Sequence, residues 1–190
     1  MFKKIIVSLL MLIAVLTILA KFTAIPEDFA ADSQSYQLLQ TGDFSVSIEK
    51  LTLVDELREV ADPIVEGQTK PRSIDLRLWY PAQPSAKAMP LVLYSHGMMG
   101  NYDEGAHYAE HFVSHGYIFV APNFPLTNFS NGQNADAVDV VNQPADISFI
   151  LDEILRRNHD PQDVLYQRID NDKIIAMGLS IGGMTTSMLG

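Results

Sequence analysis

The segment that decides the fold is Ile174-Ile175-Ala176-Met177-Gly178-Leu179-Ser180-Ile181-Gly182-Gly183. Its first four residues are apolar, which predicts a buried strand, and the residues after Ser180 open a helix. Gly178 and Gly182 lie two residues before and two after the serine. A sharp strand-to-helix turn crowds those two positions while it holds the serine hydroxyl above the sheet, so glycine fits there. The segment predicts a nucleophile elbow with Ser180 as the attacking group in acyl transfer; a plain glycine-rich turn is the alternative.

Backbone donors for a developing oxyanion are predicted on both sides of Ser180. The new helix points its N–H groups toward the reacting centre, and Gly183 would let that helix pack closely on its neighbour. Upstream, Leu93-Tyr94-Ser95-His96-Gly97-Met98-Met99-Gly100 leads from a buried strand into a glycine-bearing loop. In hydrolases with such an elbow, the loop after this strand supplies a second oxyanion donor. An ordinary turn at a strand end is the alternative interpretation.

The middle of the chain alternates strands and helices. Short apolar runs at residues 91–94 and 117–121 predict further strands of a parallel sheet that helices cover on both faces. A helix is predicted to begin near Pro144 and to end before Asp160. Its apolar positions recur at the spacing of one helix face: Ile147, Ile150, Leu151, Ile154 and Leu155.

An antiparallel pair of strands is predicted ahead of this parallel sheet. Residues 44–49 alternate between apolar and polar, and the pattern shifts by one residue at Leu51, which predicts a bulge. Residues 74–80 also alternate and end at Pro81. The two strands are predicted to pair across a charged loop at residues 55–72. The predicted fold class is therefore α/β, with an antiparallel start and then a parallel sheet flanked by helices.

The first 25 residues are predicted to form a separate unit. Lys3 and Lys4 precede an apolar run of 16 residues at positions 5–20, and Lys21 follows it. This is the layout of an export signal, although the run is shorter than the ~20 residues that span a bilayer. A cleaved signal peptide and an uncleaved signal-anchor both stay open. Either predicts a periplasmic, secreted or envelope-bound protein, and an uncleaved run would bind the membrane.

Two further divisions of the chain follow from its composition. Residues 26–43 are polar and irregular and are predicted to be a tether, and residues 44–190 are predicted to be a partial catalytic domain. The formal net charge of −10 argues against nucleic acid, because a polyphosphate partner requires clustered Lys and Arg. The chain has no cysteine, which excludes disulfides, thiolate zinc ligands and a cysteine nucleophile.

One segment matches a metal-site pattern. His107 and His111 with Glu110 form H-x-x-E-H, an inverted zinc-protease motif, and His115 extends the spacing. The same segment also carries the apolar face of a sheet-covering helix, and no further ligand of the expected kind follows downstream. We therefore predict no metal site in this segment.

Several segments, in their order along the chain, resemble bacterial hydrolases related to platelet-activating-factor acetylhydrolase, often labelled predicted dienelactone hydrolases. The resemblance covers residues 51–190 and rests on LTLVD (51–55), LWYPA (78–82), SHG (95–97), SHGY (114–117), PADISF (144–149) and GLSIGG (178–183). It implies the N-terminal portion of an α/β-hydrolase fold and a carboxylic-ester hydrolase with Ser–Asp–His chemistry and no metal. Such chemistry needs no cofactor. The substrate would be a small-molecule or lipid ester. Carried over by position, Ser180 would be the nucleophile, and the backbone N–H groups of Met98 and Ile181 would form the oxyanion hole.

Some positions depart from that family or carry a different role. Leu179 stands where the family usually has His, and true dienelactone hydrolases use a Cys that this chain lacks. His96 and Gly97 are expected to shape the oxyanion loop rather than to supply the base. Asp146 is expected to make a structural bond or to support a helix start.

The triad is incomplete in this sequence. In this fold the order along the chain is Ser, acid, His, and ten residues follow Ser180. The sequence therefore predicts a fragment or truncated product with little or no hydrolase activity of its own. One alternative is an inactive or binding-only half-domain anchored to the membrane. Another is a peptidase or thioesterase on the same scaffold.

Overall fold

The computed structural model of the chain describes residues 2–23, 28–62, 65 and 67–189. Its helices are α1 (Phe2–Thr23), α2 (Gln34–Leu38), α3 (Ala106–Ser114), α4 (Gln143–Asn158) and α5 (Ile181–Ser187). Its strands are β1 (Val46–Ala61), β2 (Thr69–Pro81), β3 (Met89–Ser95), β4 (Ile118–Asn123) and β5 (Ile169–Gly178). Two 3₁₀ segments precede α4, at Phe129–Asn134 and Ala137–Asn142. The chain divides into two compact units, Met1–Gln40 and Thr41–Gly190.

The N-terminal unit contains α1, which covers the predicted apolar run. Within the described residues, no helix is long and apolar enough to cross a membrane. Both alternatives for this segment, a cleaved export signal and an uncleaved signal-anchor, stay predictions.

The predicted tether contains one ordered turn. Ser33 caps α2 by accepting a hydrogen bond from the Tyr36 N–H at 3.1 Å. Residues 24–27, where the predicted leader meets the tether, lie outside the described residues. The boundary at Gln40 and Thr41 falls close to the predicted start of the catalytic domain at residue 44.

The larger unit is built on a five-stranded mixed sheet in the order β1-β2-β4-β3-β5. β1 pairs with β2 and β2 with β4 in antiparallel fashion, whereas β3 is parallel to both β4 and β5. Because the three parallel strands run in one direction, their carboxyl ends lie at one edge of the sheet. The predicted α/β class, the antiparallel start and the parallel continuation are all confirmed.

The β1–β2 hairpin differs from its prediction in two details. Its register is unbroken from Val46 opposite Pro81 to Asp55 opposite Arg72, so no bulge lies at Leu51. The shift in apolar positions arises because Val46 and Leu51 pack against opposite faces of the sheet. The register shift lies instead between Asp55 and Glu59. The predicted loop 55–72 is mostly paired strand, and the hairpin continues beyond the rest of the sheet as an arm.

Helices cover the two faces of the sheet. α4 lies on one face, where its apolar stripe contributes Ile147, Ile150 and Ile154 to a cluster with β2, β3 and β4. α3 lies on the other face, where Ala109 and Val113 pack against Trp79, Val92, Tyr94 and Phe119. The predicted helix between Pro144 and Asp160 is confirmed, with proline in its first turn. α3 likewise buries the apolar face expected of a sheet-covering helix.

β5 was predicted to be buried on both faces, and this is wrong. Ile175 is 38% exposed, and Ala176 is exposed as well. Within the described residues β5 pairs only with β3, so it is an edge strand. A run of apolar residues indicates that a strand is suited to burial. Whether the strand is in fact buried depends on which elements lie beside it.

Candidate active site

Ser180 lies in a sharp turn between a strand and a helix. β5 ends at Gly178 and α5 begins at Ile181, so two residues make the whole connection. Ser180 has φ 54° and ψ −118°, a positive φ that a residue with a side chain rarely adopts. Backbone strain of this kind persists where the surrounding structure enforces it, and it is concentrated at functional sites. The turn leaves Ser180 exposed at the carboxyl edge of the sheet.

The two glycines that flank the serine are required by close backbone contacts. A β-carbon at Gly178 would lie 2.4 Å from the carbonyl group of Gly182. One at Gly182 would lie 2.1 Å from the Ser95 carbonyl oxygen. At Gly183 a β-carbon would meet nothing closer than the Gly178 oxygen at 3.4 Å, an ordinary contact. Gly183 is therefore not required for the packing that the sequence analysis assigned to it.

The loop after β3 lies beside this turn. The Leu179 N–H donates to the Ser95 carbonyl at 3.1 Å. A β-carbon at Gly97 would lie 3.7 Å from the Ser180 β-carbon. The structure thus brings together the two segments that the sequence analysis assigned to one site, although they are more than 80 residues apart.

The backbone N–H groups at this junction divide into paired and unpaired ones. The Gly182 N–H donates to the Leu179 carbonyl at 2.8 Å, and the Met99 N–H donates to the Thr127 carbonyl at 2.8 Å. Neither the Met98 N–H nor the Ile181 N–H has a hydrogen-bond partner among the described residues. These are the two donors that the family resemblance implies for an oxyanion hole.

His96 is a structural part of the loop. It is fully buried, its Nε2 accepts the Phe124 N–H at 3.1 Å, and its Nδ1 lies 2.7 Å from the Gly97 carbonyl. Because Nε2 is an acceptor, the proton resides on Nδ1 and the ring is neutral. Burial lowers the pKa of His96 and outweighs the Gly97 hydrogen bond and the charge of Glu104, which raise it. With both nitrogens bonded to backbone, His96 tethers the loop and has no free nitrogen to serve as a base.

Glu104 holds the same loop from the other side and was missed by the sequence analysis. Its Oε1 accepts hydrogen bonds from the Gly97 N–H at 2.8 Å and from the Tyr94 hydroxyl at 3.0 Å. Burial raises the pKa of Tyr94, and its hydrogen bond to Glu104 raises it further. No spacing rule links Gly97 to a carboxylate seven residues later, so nothing local in the sequence indicates this contact.

A buried amide connects α5 to the wall of the site. Gln143 donates to the Thr127 hydroxyl at 2.8 Å and accepts a hydrogen bond from the Thr185 hydroxyl. Thr127 in turn receives the Met99 N–H, where Met99 has a positive φ of 61°. The turn at Ser180, the loop after β3 and the start of α4 therefore form one hydrogen-bonded assembly.

Asp146 belongs to a buried ionic cluster with Arg72 and Asp139. Arg72 donates to Asp146 at 2.6 Å and 2.7 Å and to Asp139 at 2.9 Å and 2.7 Å. Arg58 adds a third donor to Asp146 at 2.8 Å and also bonds Asp55 at 2.6 Å. The cluster fastens the arm of the β1–β2 hairpin to the start of α4. The structural bond expected of Asp146 is therefore present.

Burial and ion pairing change the pKa of Arg72 and that of Asp146. Burial alone would lower the pKa of Arg72, but hydrogen bonds to Asp146 and Asp139 outweigh it and raise that pKa. Burial raises the pKa of Asp146 even though Arg72 and Arg58 oppose the change. The desolvated carboxylate therefore depends on its guanidinium partners to stay ionised.

No acid or base among the described residues is hydrogen-bonded to Ser180. The Ser180 hydroxyl has no hydrogen-bond partner among them, and His107 and His111 lie on α3, which covers a face of the sheet. In the part of the chain that the structure describes, no group of three or more His, Cys, Asp or Glu could hold a metal ion. The site thus presents a hydroxyl and two backbone donors.

The fold is similar to that of a known esterase. A ferulic acid esterase from Streptomyces cinnamoneus matches with a TM-score of 0.59 and 22% sequence identity, over 77% of this chain and 55% of that chain. The chain thus spans about half the length of the esterase it matches. No protein-family model matches the chain, and no curated protein matches it. The chain is therefore a mixed α/β protein whose fold resembles that of an α/β-hydrolase esterase.

Proposed function

We propose that this chain carries the nucleophile and the oxyanion hole of a serine ester hydrolase. The observation that carries the proposal is the strained turn at Ser180, packed against a loop whose Met98 N–H has no hydrogen-bond partner among the described residues. Ser180 would attack the ester carbonyl, and the Met98 and Ile181 N–H groups would stabilise the oxyanion. Water would then release the acyl group. The resemblance to acetylhydrolase-related enzymes and the likeness to an esterase fold support the same chemistry.

The base and the acid of the reaction are proposed to lie outside these 190 residues. Both ring nitrogens of His96 are occupied, and no described carboxylate bonds Ser180. In this fold, the acid and the histidine come after the nucleophile in the chain. The purified 190-residue chain is therefore expected to hydrolyse esters weakly or not at all.

The test compares p-nitrophenyl acetate hydrolysis by this chain with that by any longer product of the same reading frame. Each is assayed beside Ser180→Ala and beside Ser187→Ala, a matched change at an exposed serine of α5. In an active product, Ser180→Ala is expected to lower kcat by roughly 10³-fold or more, because triad residues act as a unit. Ser187→Ala is expected to leave kcat unchanged.

Other outcomes separate the alternatives. Turnover that persists in Ser180→Ala would refute the proposed nucleophile. Turnover by the 190-residue chain that Ser180→Ala abolishes would support the nucleophile and disprove the external base. Saturable binding of an ester without turnover in any product would favour a binding-only protein. Amide and thioester analogues in the same panel would identify a peptidase or a thioesterase.

A further inference from the structure

A cleft lies between the arm of the β1–β2 hairpin and the segment that follows β4. Its volume is about 250 Å³, and its polar lining comprises Lys70, Ser73, Asp75, Asn123, Asn128 and Asn131. This is slightly below the ~300 Å³ at which small-molecule pockets usually begin. The cleft therefore suits one small ligand, or one ring of a larger ligand.

Asn123 lines this cleft and carries a buried polar atom that no described residue pairs with. Its amide oxygen is buried and has no hydrogen-bond partner among the described residues. By contrast, Asn128 donates to the Phe124 carbonyl at 2.7 Å, and Asn131 donates to the Pro125 carbonyl at 2.7 Å. Buried polar groups are nearly always paired, so an unpaired one calls for a partner. Rotation about the terminal C–C bond can turn either end of this amide into the cleft.

The chemistry of the lining selects an uncharged ligand with hydroxyl groups. Lys70 and Asp75 contribute one charge of each sign, so the cleft favours neither an anion nor a cation. Amide, hydroxyl and carboxylate groups together offer both donors and acceptors, as a ligand hydroxyl requires. Val60 and Leu126 add an apolar wall. A sugar ring or a polyol has both an apolar face and hydroxyl groups that match this arrangement.

The cleft lies at the same edge of the sheet as Ser180. Asn123 ends β4, Gly178 ends β5, and β3 runs parallel between the two strands. Two steps of ~4.8 Å between strands place the two ends ~10 Å apart. The segment that lines the cleft is also bonded to the loop after β3, since the Phe129 N–H donates to the Gly100 carbonyl at 2.9 Å. The cleft and the serine therefore lie at the same end of the parallel strands.

We propose that this cleft binds the alcohol portion of the ester, a neutral sugar or polyol, while Ser180 attacks the carbonyl. This inference rests on the proposed function for its connection to catalysis. The cleft would bind the hydroxyl-bearing group through Asn123 and Ser73 and would thereby orient the acyl carbon toward Ser180.

The test measures binding without chemistry. Methyl α-D-glucoside is titrated into the 190-residue chain, with saturation-transfer NMR as the readout, and glucuronate and butanol serve as charged and apolar comparisons. Saturable binding of the glucoside is expected, with weaker binding of the other two. Asn123→Leu is expected to raise the Kd roughly tenfold, because it removes a hydrogen-bonding group of similar size. Gln162→Leu, at an exposed amide outside the cleft, is expected to leave the Kd unchanged.

The remaining outcomes test the cleft and the proposed function separately. If Asn123→Leu fails to fold by its thermal midpoint, the exposed Ser73→Ala variant gives the same comparison. Absence of saturable glucoside binding, or a Kd that neither variant changes, would overturn the inference. Hydrolysis of p-nitrophenyl acetate does not require the cleft, so turnover without glucoside binding would refute the cleft alone. Glucoside binding by a longer product of the same reading frame, without Ser180-dependent turnover in that product, would instead count against the proposed function.

Discussion

Replacement of Arg72 by methionine tests whether the buried ionic cluster holds the hairpin arm in place. Arg72 is 2% exposed and makes four hydrogen bonds to two carboxylates, Asp139 and Asp146. Methionine retains an unbranched apolar side chain and removes the charge. Both carboxylates then remain buried, with one other donor each, Asn142 for Asp139 and Arg58 for Asp146.

Removal of one partner from a buried ion pair typically costs about 3–5 kcal/mol, because the remaining charge is uncompensated. For a domain of this size, that loss corresponds to a fall in Tm of roughly 6–20 °C. The assay is urea unfolding followed by far-UV circular dichroism at pH 7, with Arg156→Met as the matched control. Arg156 also pairs with a carboxylate, Glu153, but its side chain is 64% exposed, so its replacement is expected to leave the midpoint unchanged.

The stability loss in Arg72→Met is also expected to depend on pH. Burial raises the pKa of Asp146 above its unfolded value, and loss of Arg72 would raise it further. A carboxyl group whose pKa is raised in the folded state stabilises the fold most below its unfolded pKa. That stabilisation is lost as the pH rises through the folded pKa. The deficit of Arg72→Met should therefore shrink as the pH falls from 7 toward 5. A loss no greater than that of Arg156→Met, or a deficit independent of pH, would refute the reasoning.

Two further predictions concern the turn and the loop beside it. Gly182→Ala places a β-carbon 2.1 Å from the Ser95 carbonyl oxygen and is expected to destabilise the fold by about 1–3 kcal/mol or more. Gly183→Ala meets only an ordinary contact and is expected to be neutral or to stabilise α5 by up to about 1 kcal/mol; equal urea midpoints for the two variants would contradict this. Burial and Glu104 raise the pKa of Tyr94 in the folded state. The contribution of Tyr94 to folding stability is therefore complete below its unfolded pKa of ~10 and falls as the pH rises further. The wild-type midpoint should therefore fall between pH 8 and pH 11 more steeply than that of Tyr94→Phe, and parallel slopes would count against the buried hydrogen bond.

Much of the architecture could be predicted because its causes are local. The apolar stripe of α4, from Ile147 to Leu155, has the period of a helix and lies against the sheet as expected. The alternation in β2 and its end at Pro81 also match the structure. The shift at Leu51 was misread as a bulge, because alternation indicates which face a residue occupies but not whether the opposite face is also covered. The burial of β5 was misjudged for a similar reason.

The sequence by itself determined the turn at Ser180. The residues two before and two after the serine touch other backbone atoms closely, and glycine is the residue that satisfies this constraint wherever the rest of the chain lies. Only the tertiary structure decided which side chains support that turn. Glu104 holds the loop at Gly97, and Gln143 bonds Thr185 across 42 residues of chain. Such contacts depend on how strands and helices stack, and the hydrogen bond between two side chains leaves no periodic pattern in the sequence.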